Sequence, residues 1–448
     1  MKIIIKARRI SARLVERKEI NMNAKTKKLL IALGCVAAAV LLFFAGFFTY
    51  YLTLDEGLRS LLWFKNKVQD EYYENISDED FWNAAISGAE GLLDEYSTLY
   101  TADEYDVIVS SSKGEKLGAG VSFFADTNMI YKVAVNSPAF FAGMEEGTYI
   151  TGVGMSREEF VSTFTPTELS KALDDISSNQ TFYLRASADG ADDTENVKIY
   201  EVQKKAFTES YAVYQTYNSS WALVEGENGM AWEKYGEGNA ELDQDTAYVR
   251  LVQFYGNAYD SFAHACEQYK ADGKSKLILD LRNNGGGSVD VMQSLSNFLL
   301  KDAKEKKNLV MTAQYRGGRE EKYYSRANYY DEYFADSKIF VMANHNSASA
   351  SEALIGAMIS YGTIGYGDIF LSKIGNTCKT FGKGIMQTTF SNPLTGEAAK
   401  LTTAKIFWPN GHCIHGVGVT EADGATPIET TGATVYGDPE LSKVLARI

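Results

Sequence analysis

Lys276-Leu277-Ile278-Leu279-Asp280-Leu281-Arg282-Asn283-Asn284-Gly285-Gly286-Gly287 is an apolar run that stops at a polar turn and three consecutive glycines, with Val289–Leu300 reading as a helix behind it. A short apolar run closed by glycine is the pattern of a buried strand. A strand that feeds a helix through a tight loop is half of a crossover unit. The alternation continues on both sides. Upstream, Ala247–Phe254 reads as a strand, and Ala258–Ala271 as a helix with Phe262, Ala265, Cys266 and Tyr269 on its apolar face. Downstream, Lys338–Ala343 reads as a strand and Ala350–Ser360 as a helix ended by Gly362. Strands alternating with helices predict a largely parallel sheet with helices outside it. Residues 206–448 are therefore expected to form an α/β core. Trp221–Asp245 has no place in that alternation and reads as an inserted hairpin, with the insertion spanning 217–245.

The 448 residues are too many for one ordinary domain. Residues 113–205 are rich in glycine and short apolar runs, among them Gly118-Ala119-Gly120-Val121-Ser122-Phe123 and Ile130-Tyr131-Lys132-Val133. Such runs predict a compact β-rich domain. Within it Thr165 and Pro166 mark a helix start, and Phe182–Ala186 and Val197–Val202 supply further strands. Residues 55–112 read as a short helical segment. Leu29–Leu54 is free of charge and dominated by Leu, Ala, Val, Ile and Phe, long enough at about 1.5 Å per residue for a bilayer core of roughly 30 Å. Lys25, Lys27 and Lys28 precede it and Phe47, Phe48, Tyr50 and Tyr51 close it, so residues 29–54 are expected to anchor the chain in a bacterial cell membrane. The basic tail 1–28 would then be cytoplasmic and the rest extracytoplasmic. A cleaved signal peptide at Ala37-Ala38-Ala39 is the alternative, and Met22 is an alternative start.

Residues 1–28 carry a net charge of +8, which leaves −22 on the remainder of a chain whose formal charge is −14. An acidic body excludes nucleic acid as the expected partner. No CxxC or HExxH spacing occurs, so neither a metal nor another cofactor is expected. Cys266, Cys378 and Cys413 lie beyond the anchor, and an odd count is not a disulfide framework. Cys378 and Cys413 could pair, with two unpaired thiols as the alternative.

Asn346-Ser347-Ala348-Ser349-Ala350-Ser351-Glu352 follows a strand and opens a helix. A hydroxyl there sits among free N–H groups that favour negative charge, although capping serines would give the same pattern. Phe381-Gly382-Lys383-Gly384-Ile385-Met386-Gln387 adds a lysine between glycines, whose backbone can pass close to another element. A lysine base must be neutral near pH 7, which asks for a fall of about three units from roughly 10.4, or about 4 kcal/mol. Burial supplies such shifts. Gln387 is placed on the same strand face as Lys383, where its amide oxygen would hold the amine. Gly285-Gly286-Gly287 presents bare N–H groups that, with Ala350, could form an oxyanion hole.

Taken together, Leu277–Leu300, Asn344–Gly362, Phe381–Gln387, Lys400–Ile406 and Gly416–Thr420 resemble, in order, the carboxyl-terminal processing peptidases, the S41 serine endopeptidases. The Leu92–Thr98 segment and Asp438-Pro439-Glu440-Leu441 also look like this family. The resemblance implies a peptidase core of the ClpP/crotonase type. In it Ser349 would be the nucleophile, Lys383 the base, Gln387 its orienting group, and the N–H groups of Gly286 and Ala350 the oxyanion hole. The β-rich segment resembles a PDZ domain through Gly118–Val121 and Ser137-Pro138-Ala139 with Ala142-Gly143 and Glu146-Gly147-Thr148-Tyr149-Ile150. That implies a groove in which Leu117, Gly118, Ala119 and Gly120 hold the C-terminal carboxylate of a protein or peptide substrate. Ser349 and Lys383 are several positions further apart than the family pattern, so residues 366–380 are expected to be a surplus loop shaping the channel or acting as a lid. A catalytically inactive, membrane-tethered peptide-binding scaffold is the alternative function.

Overall fold

The computed structural model describes residues 23–124, 127–162, 165–191, 197–301, 307–429 and 438–448; the basic stretch 1–22 lies outside them. The chain divides into two compact units, one ending at Leu92 and the other spanning Leu93–Ile448.

In the first unit, helix α1 (Ala24–Thr53) is capped by Asn23, whose side chain accepts from the N–H groups of Lys25 and Thr26. Among the described residues it is the one helix long and apolar enough to cross a membrane. Helices α2 (Glu56–Glu71) and α3 (Asp78–Glu90) start at Asp55 and Ser77, which cap them through Gly57 and Asp80 N–H. They meet through Phe64 against Phe81 and a Lys65–Asp78 ion pair of 2.6 Å, and neither buries a residue fully.

The second unit opens with strand β1 (Thr98–Tyr100) and helix α4 (Ala102–Ser112), the latter started by a capping box of Thr101 and Glu104. A β-rich portion follows: β2 (Glu115–Gly118), β3 (Val121–Phe123), β4 (Ile130–Val133), α5 (Pro138–Phe141), β5 (Tyr149–Gly154), β6 (Val161–Ser162), α6 (Pro166–Asp174), β7 (Thr181–Ser187), β8 (Val197–Gln203) and β9 (Lys205–Thr208). Strands β6-β5-β7-β8 form one antiparallel sheet, while β2 pairs with β9 and β3 with β4. Ile130, Ile150, Leu169, Phe182 and Leu184 form its apolar centre. As the sequence suggests, Thr165 caps α6. The portion is tied to the rest of the unit by polar contacts. Asn136 donates to the carbonyls of Thr208 and Leu223 and accepts from Glu225 N–H. Glu209, buried, is paired with Lys116 at 2.6 Å and Lys132 at 3.0 Å.

The core is built on β10 (Ala212–Thr216), β11 (Ser219–Gly226), β12 (Gly229–Gly236), β13 (Thr246–Leu251), α7 (Ala258–Ala271), β14 (Lys276–Asp280), α8 (Val289–Leu299), β15 (Leu309–Tyr315), β16 (Glu320–Tyr324), α9 (Tyr330–Phe334), β17 (Lys338–Asn344), α10 (Ala350–Ser360), β18 (Ile369–Ser372), β19 (Ile385–Ser391), β20 (Ala398–Phe407), β21 (Thr426–Ile428) and α11 (Pro439–Leu445). Its eight-stranded sheet runs β12-β11-β10-β13-β14-β17-β18-β21, and β13, β14, β17, β18 and β21 are parallel. The hairpin β11–β12 does not stand apart, because β11 pairs with β10 and continues the sheet at its antiparallel edge. Part of the stretch 366–380 belongs to the sheet: Ile369–Ser372 is a buried strand between β17 and β21, where four apolar or small residues fill a two-sided position. A second sheet joins β1, β15, β16, β19 and β20. Strand β16 is Glu-Glu-Lys-Tyr-Tyr and largely exposed, so it carries no apolar alternation to announce it.

Candidate active site

Three segments meet at the C-terminal ends of the parallel strands, where open α/β sheets leave a crevice. They are the turn from β17 into α10, the glycine loop after β14, and the segment that enters β19. Arg282 fixes the glycine loop from behind, pairing with Asp280 at its own strand end and with Asp438 and Glu440 of the α11 start.

Ser347, Ser349 and Ser351 separate cleanly by their partners. Ser347 Oγ donates to Leu281 O at 2.8 Å and accepts from Asn344 N–H at 2.9 Å, while Ser351 Oγ donates to Asn284 O at 2.9 Å. Both are buried and fasten the turn to the glycine loop. Ser349 Oγ has no hydrogen-bond partner among the described residues. Its backbone lies at φ 56°, ψ −113°, off the regions a residue with a Cβ prefers. Such a conformation costs about 1–3 kcal/mol and persists only where the surroundings impose it.

Glu352 imposes it. This carboxylate is fully buried and accepts four hydrogen bonds: Ser349 N–H at 3.1 Å, Thr380 Oγ1–H at 2.6 Å, Gly382 N–H at 2.7 Å and Lys383 N–H at 2.8 Å. Burial pushes its carboxyl above the usual range, and the four donors oppose that shift. One side chain thus joins the α10 start to the Lys383 segment. Its sequence signal was the spacing from Ser349, the Ser-x-x-Glu of a capping box.

Lys383 and Ser349 line the same narrow cavity, of about 30 Å³, with Val289, Met292, Ile406 and Trp408 among its apolar walls. The flanking glycines let the lysine strand pass against Val417 and Gly418 on one side and His415 on the other. A Cβ on Gly384 would stand 2.7 Å from His415 N. Burial and the charge of Lys400 hold the Lys383 amine below the usual lysine value, while Asp94 and Glu352 pull it back up. Its Nζ makes no hydrogen bond or ion pair among the described residues and lies over the ring of Tyr96, 4.7 Å from the centroid.

Gln387 is not found on the amine. Lys383 precedes the strand, and a bulge between Met386 and Gln387 breaks the alternation that would have aligned the two side chains. Gln387 Nε2 donates instead to Thr402 Oγ1 at 3.0 Å, Thr402 N–H donates to Ser97 Oγ at 2.9 Å, and Ser97 Oγ donates to Asp94 Oδ1 at 2.7 Å. The glycine loop also differs in detail. Gly286, at φ 96°, packs so closely that a Cβ would fall 2.8 Å from Ala350 N, but its own N–H donates to Asn284 Oδ1 at 2.9 Å. Gly287 lines the cavity beside Ser349 and Ala350, and no described group accepts from its N–H or from that of Ala350. Cys378 and Cys413 are unpaired. The Cys378 Sγ faces Leu371 O at 3.5 Å, and burial with Glu421 beside it raises the thiol to about 11. Lys373 and Lys379 do not line the cavity. Leu117–Gly120 lies apart from it, joining β2 to β3. Among the described residues no cluster of His, Cys, Asp or Glu is placed to hold a metal.

Residues 245–422, within the α/β core that carries the crevice just described, match the family model "Peptidase family S41". Among curated proteins, a "Probable CtpA-like serine protease" of Staphylococcus saprophyticus is 26% identical over 364 residues, 79% of this chain and 62% of that one. A "Carboxyl-terminal-processing protease" of Synechocystis is 34% identical over 185 residues, 40% of this chain and 39% of that one. The chain therefore spans about three fifths of the first relative's length and less of the second's. Among solved structures, a "photosystem II D1 C-terminal processing protease" aligns at 20% identity with a TM-score of 0.45, over 80% of this chain and 85% of that one.

Proposed function

We propose that the chain is a membrane-anchored serine endopeptidase acting outside the cytoplasmic membrane, with a Ser349–Lys383 dyad. The observation that carries this reading is the one free serine hydroxyl of the turn sharing an apolar cavity with a half-buried lysine of lowered pKa. The neutral Lys383 amine takes the Ser349 Oγ proton as Oγ bonds to the scissile carbonyl carbon. The carbonyl oxygen, now negative, accepts from the N–H groups of Gly287 and Ala350. Each such donor is worth roughly 2.7–4 kcal/mol. As the C–N bond breaks, the Lys383 ammonium returns its proton to the leaving amine. Water then attacks the acyl ester with Lys383 again as base, and Ser349 is regenerated. The small apolar cavity suits a compact apolar side chain at the cut.

The β-rich portion is read as a PDZ-like domain. Strand β3 pairs with β4 alone among the described strands, which leaves an edge for an added peptide strand next to the Leu117–Gly120 loop. Helix α1 supplies the anchor. The test is to incubate the detergent-solubilised full chain, wild type and Ser349→Ala, with an unfolded protein and with peptides bearing free or amidated C-termini, and to identify fragments by mass spectrometry. Wild type is expected to cut and Ser349→Ala to be inert. Amidation is expected to weaken capture. Fragments from Ser349→Ala would refute the nucleophile, and equal cutting of both peptide forms would remove the PDZ-like domain from selection.

A further inference from the structure

Lys383 has an aromatic neighbour that the dyad reading leaves unused. Tyr96 arrives from a segment 287 positions earlier in the chain and places its ring under Nζ. The turn that delivers it is built for the purpose. Asp94 Oδ1 accepts from the N–H of Tyr96 at 3.2 Å and from Ser97 Oγ at 2.7 Å, which closes an Asx turn around the tyrosine. Ser97 is in turn held by Thr402 N–H, at the point of β20 between its pairings with β1 and with β15. Gln387 adds to the same chain through Thr402. The Tyr96 ring also meets Phe381 edge-on at 6.3 Å, and His345 stacks on Phe381 at 5.4 Å and 16°.

We propose, within the dyad reading, that Tyr96 is a positioning residue for the base, its ring face holding the ammonium form of Lys383. An ammonium over the face of an aromatic ring is attracted by the ring quadrupole, most strongly where water is excluded. Lys383 becomes an ammonium when it takes the Ser349 proton; it lines the cavity beside Ser349, while Tyr96 lines the neighbouring opening with Asp94, Glu95 and Phe381. The ring stabilises that charge without offering a base of its own. Burial and Glu95 raise the Tyr96 phenol, so the ring remains neutral and does not form an ion pair. The other groups around the amine are Lys400 on β20, Asp94 in the turn and Glu352 on α10, with His345 and His415 on neighbouring loops. None of these supplies a π face to Nζ.

The test is made in the full chain carrying Ser349→Ala, so that it reads the amine and not proteolysis. Trace acetylation of Lys383 as a function of pH, quantified by peptide mass spectrometry, gives the pKa of that amine. Tyr96→Leu, which keeps an apolar wall, is expected to lower it by about 0.5 to 1.5 pH units, the size of a partly desolvated cation–π contact. Tyr96→Phe is expected to restore the wild-type value. A trifluorinated phenylalanine at position 96, equal in shape but with its quadrupole cancelled, is expected to behave as Tyr96→Leu and guards against a misfolded leucine variant. An unchanged amine in the fluorinated protein would overturn the proposal. If active protein with Ser349→Ala still cuts substrate, the dyad reading fails while the labelling result for Tyr96 stands by itself.

Discussion

Ser349 and Lys383 illustrate how one atom's surroundings set its chemistry. Ser347 and Ser351 have the same hydroxyl as Ser349, yet each is consumed by a carbonyl of the opposite strand-end loop. Lys383 differs from the chain's many surface lysines by its apolar walls and by Lys400 nearby. Both effects favour the neutral amine, so its neutral fraction becomes substantial below the ordinary lysine value of about 10.4. Proteolysis is accordingly expected to rise with pH and to approach its plateau below that value. Removing the like charge with Lys400→Gln is expected to move this limb to higher pH. An unmoved limb in the kcat/KM profile would show that Lys400 does not tune the base. Lys383→Arg, whose guanidinium stays charged, is expected to lower kcat about 100-fold or more.

At the scale of elements, Glu352 is the junction. Helix α10 and the strand entering β19 are separate in sequence, and the four donors on one carboxylate decide their spacing. Glu352→Gln keeps the shape but turns one acceptor into an NH₂ that faces another N–H. That leaves a buried donor unsatisfied, at a cost of about 1–3 kcal/mol. A lowered thermal midpoint is expected, together with turnover reduced more than substrate binding, because Ser349 and Lys383 no longer share one anchor. Wild-type kcat in Glu352→Gln would sink this role. The far side of α10 is equally constrained: a Cβ on Gly356 would fall 2.0 Å from the Trp408 ring, so the cavity wall and the helix fit only without that side chain.

For the whole molecule, the question is how the β-rich portion is held to the core. Arg250, on β13, donates to Glu146 at 2.9 Å and to Tyr131 O at 3.0 Å, both in the β-rich portion. Phe140 packs on Tyr235 of the β11–β12 hairpin at 5.4 Å, so the hairpin that continues the core sheet also braces this portion. The contacts are largely polar, and such interfaces permit relative motion. Arg250→Gln is expected to raise amide hydrogen exchange across 130–150 several-fold while leaving β14 and β17 protected. Unchanged exchange there would mean that the Arg250 contacts do not hold the portion in place.

What the sequence determined by itself was the set of elements whose apolar period is unbroken. Strands β14 and β17 and helices α7 and α8 were legible because buried parallel strands and amphipathic helices must show their period in the residues themselves, and α10 because it is an apolar run buried nearly all round. The Ser349 turn, the glycine loop and the Gly-Lys-Gly segment were legible as short motifs, since backbone close approach demands particular residues. Strand β16 was not, because an exposed edge strand imposes no such period. Nor was the place of Gln387, which a bulge decided, nor the hydrogen bond that occupies the Gly286 N–H, which the Asn284 side chain makes. Glu352, Asp94 and Tyr96 surround the lysine only because the sheets bring together segments far apart in the chain, and no local pattern records which distant residue a buried charge will face.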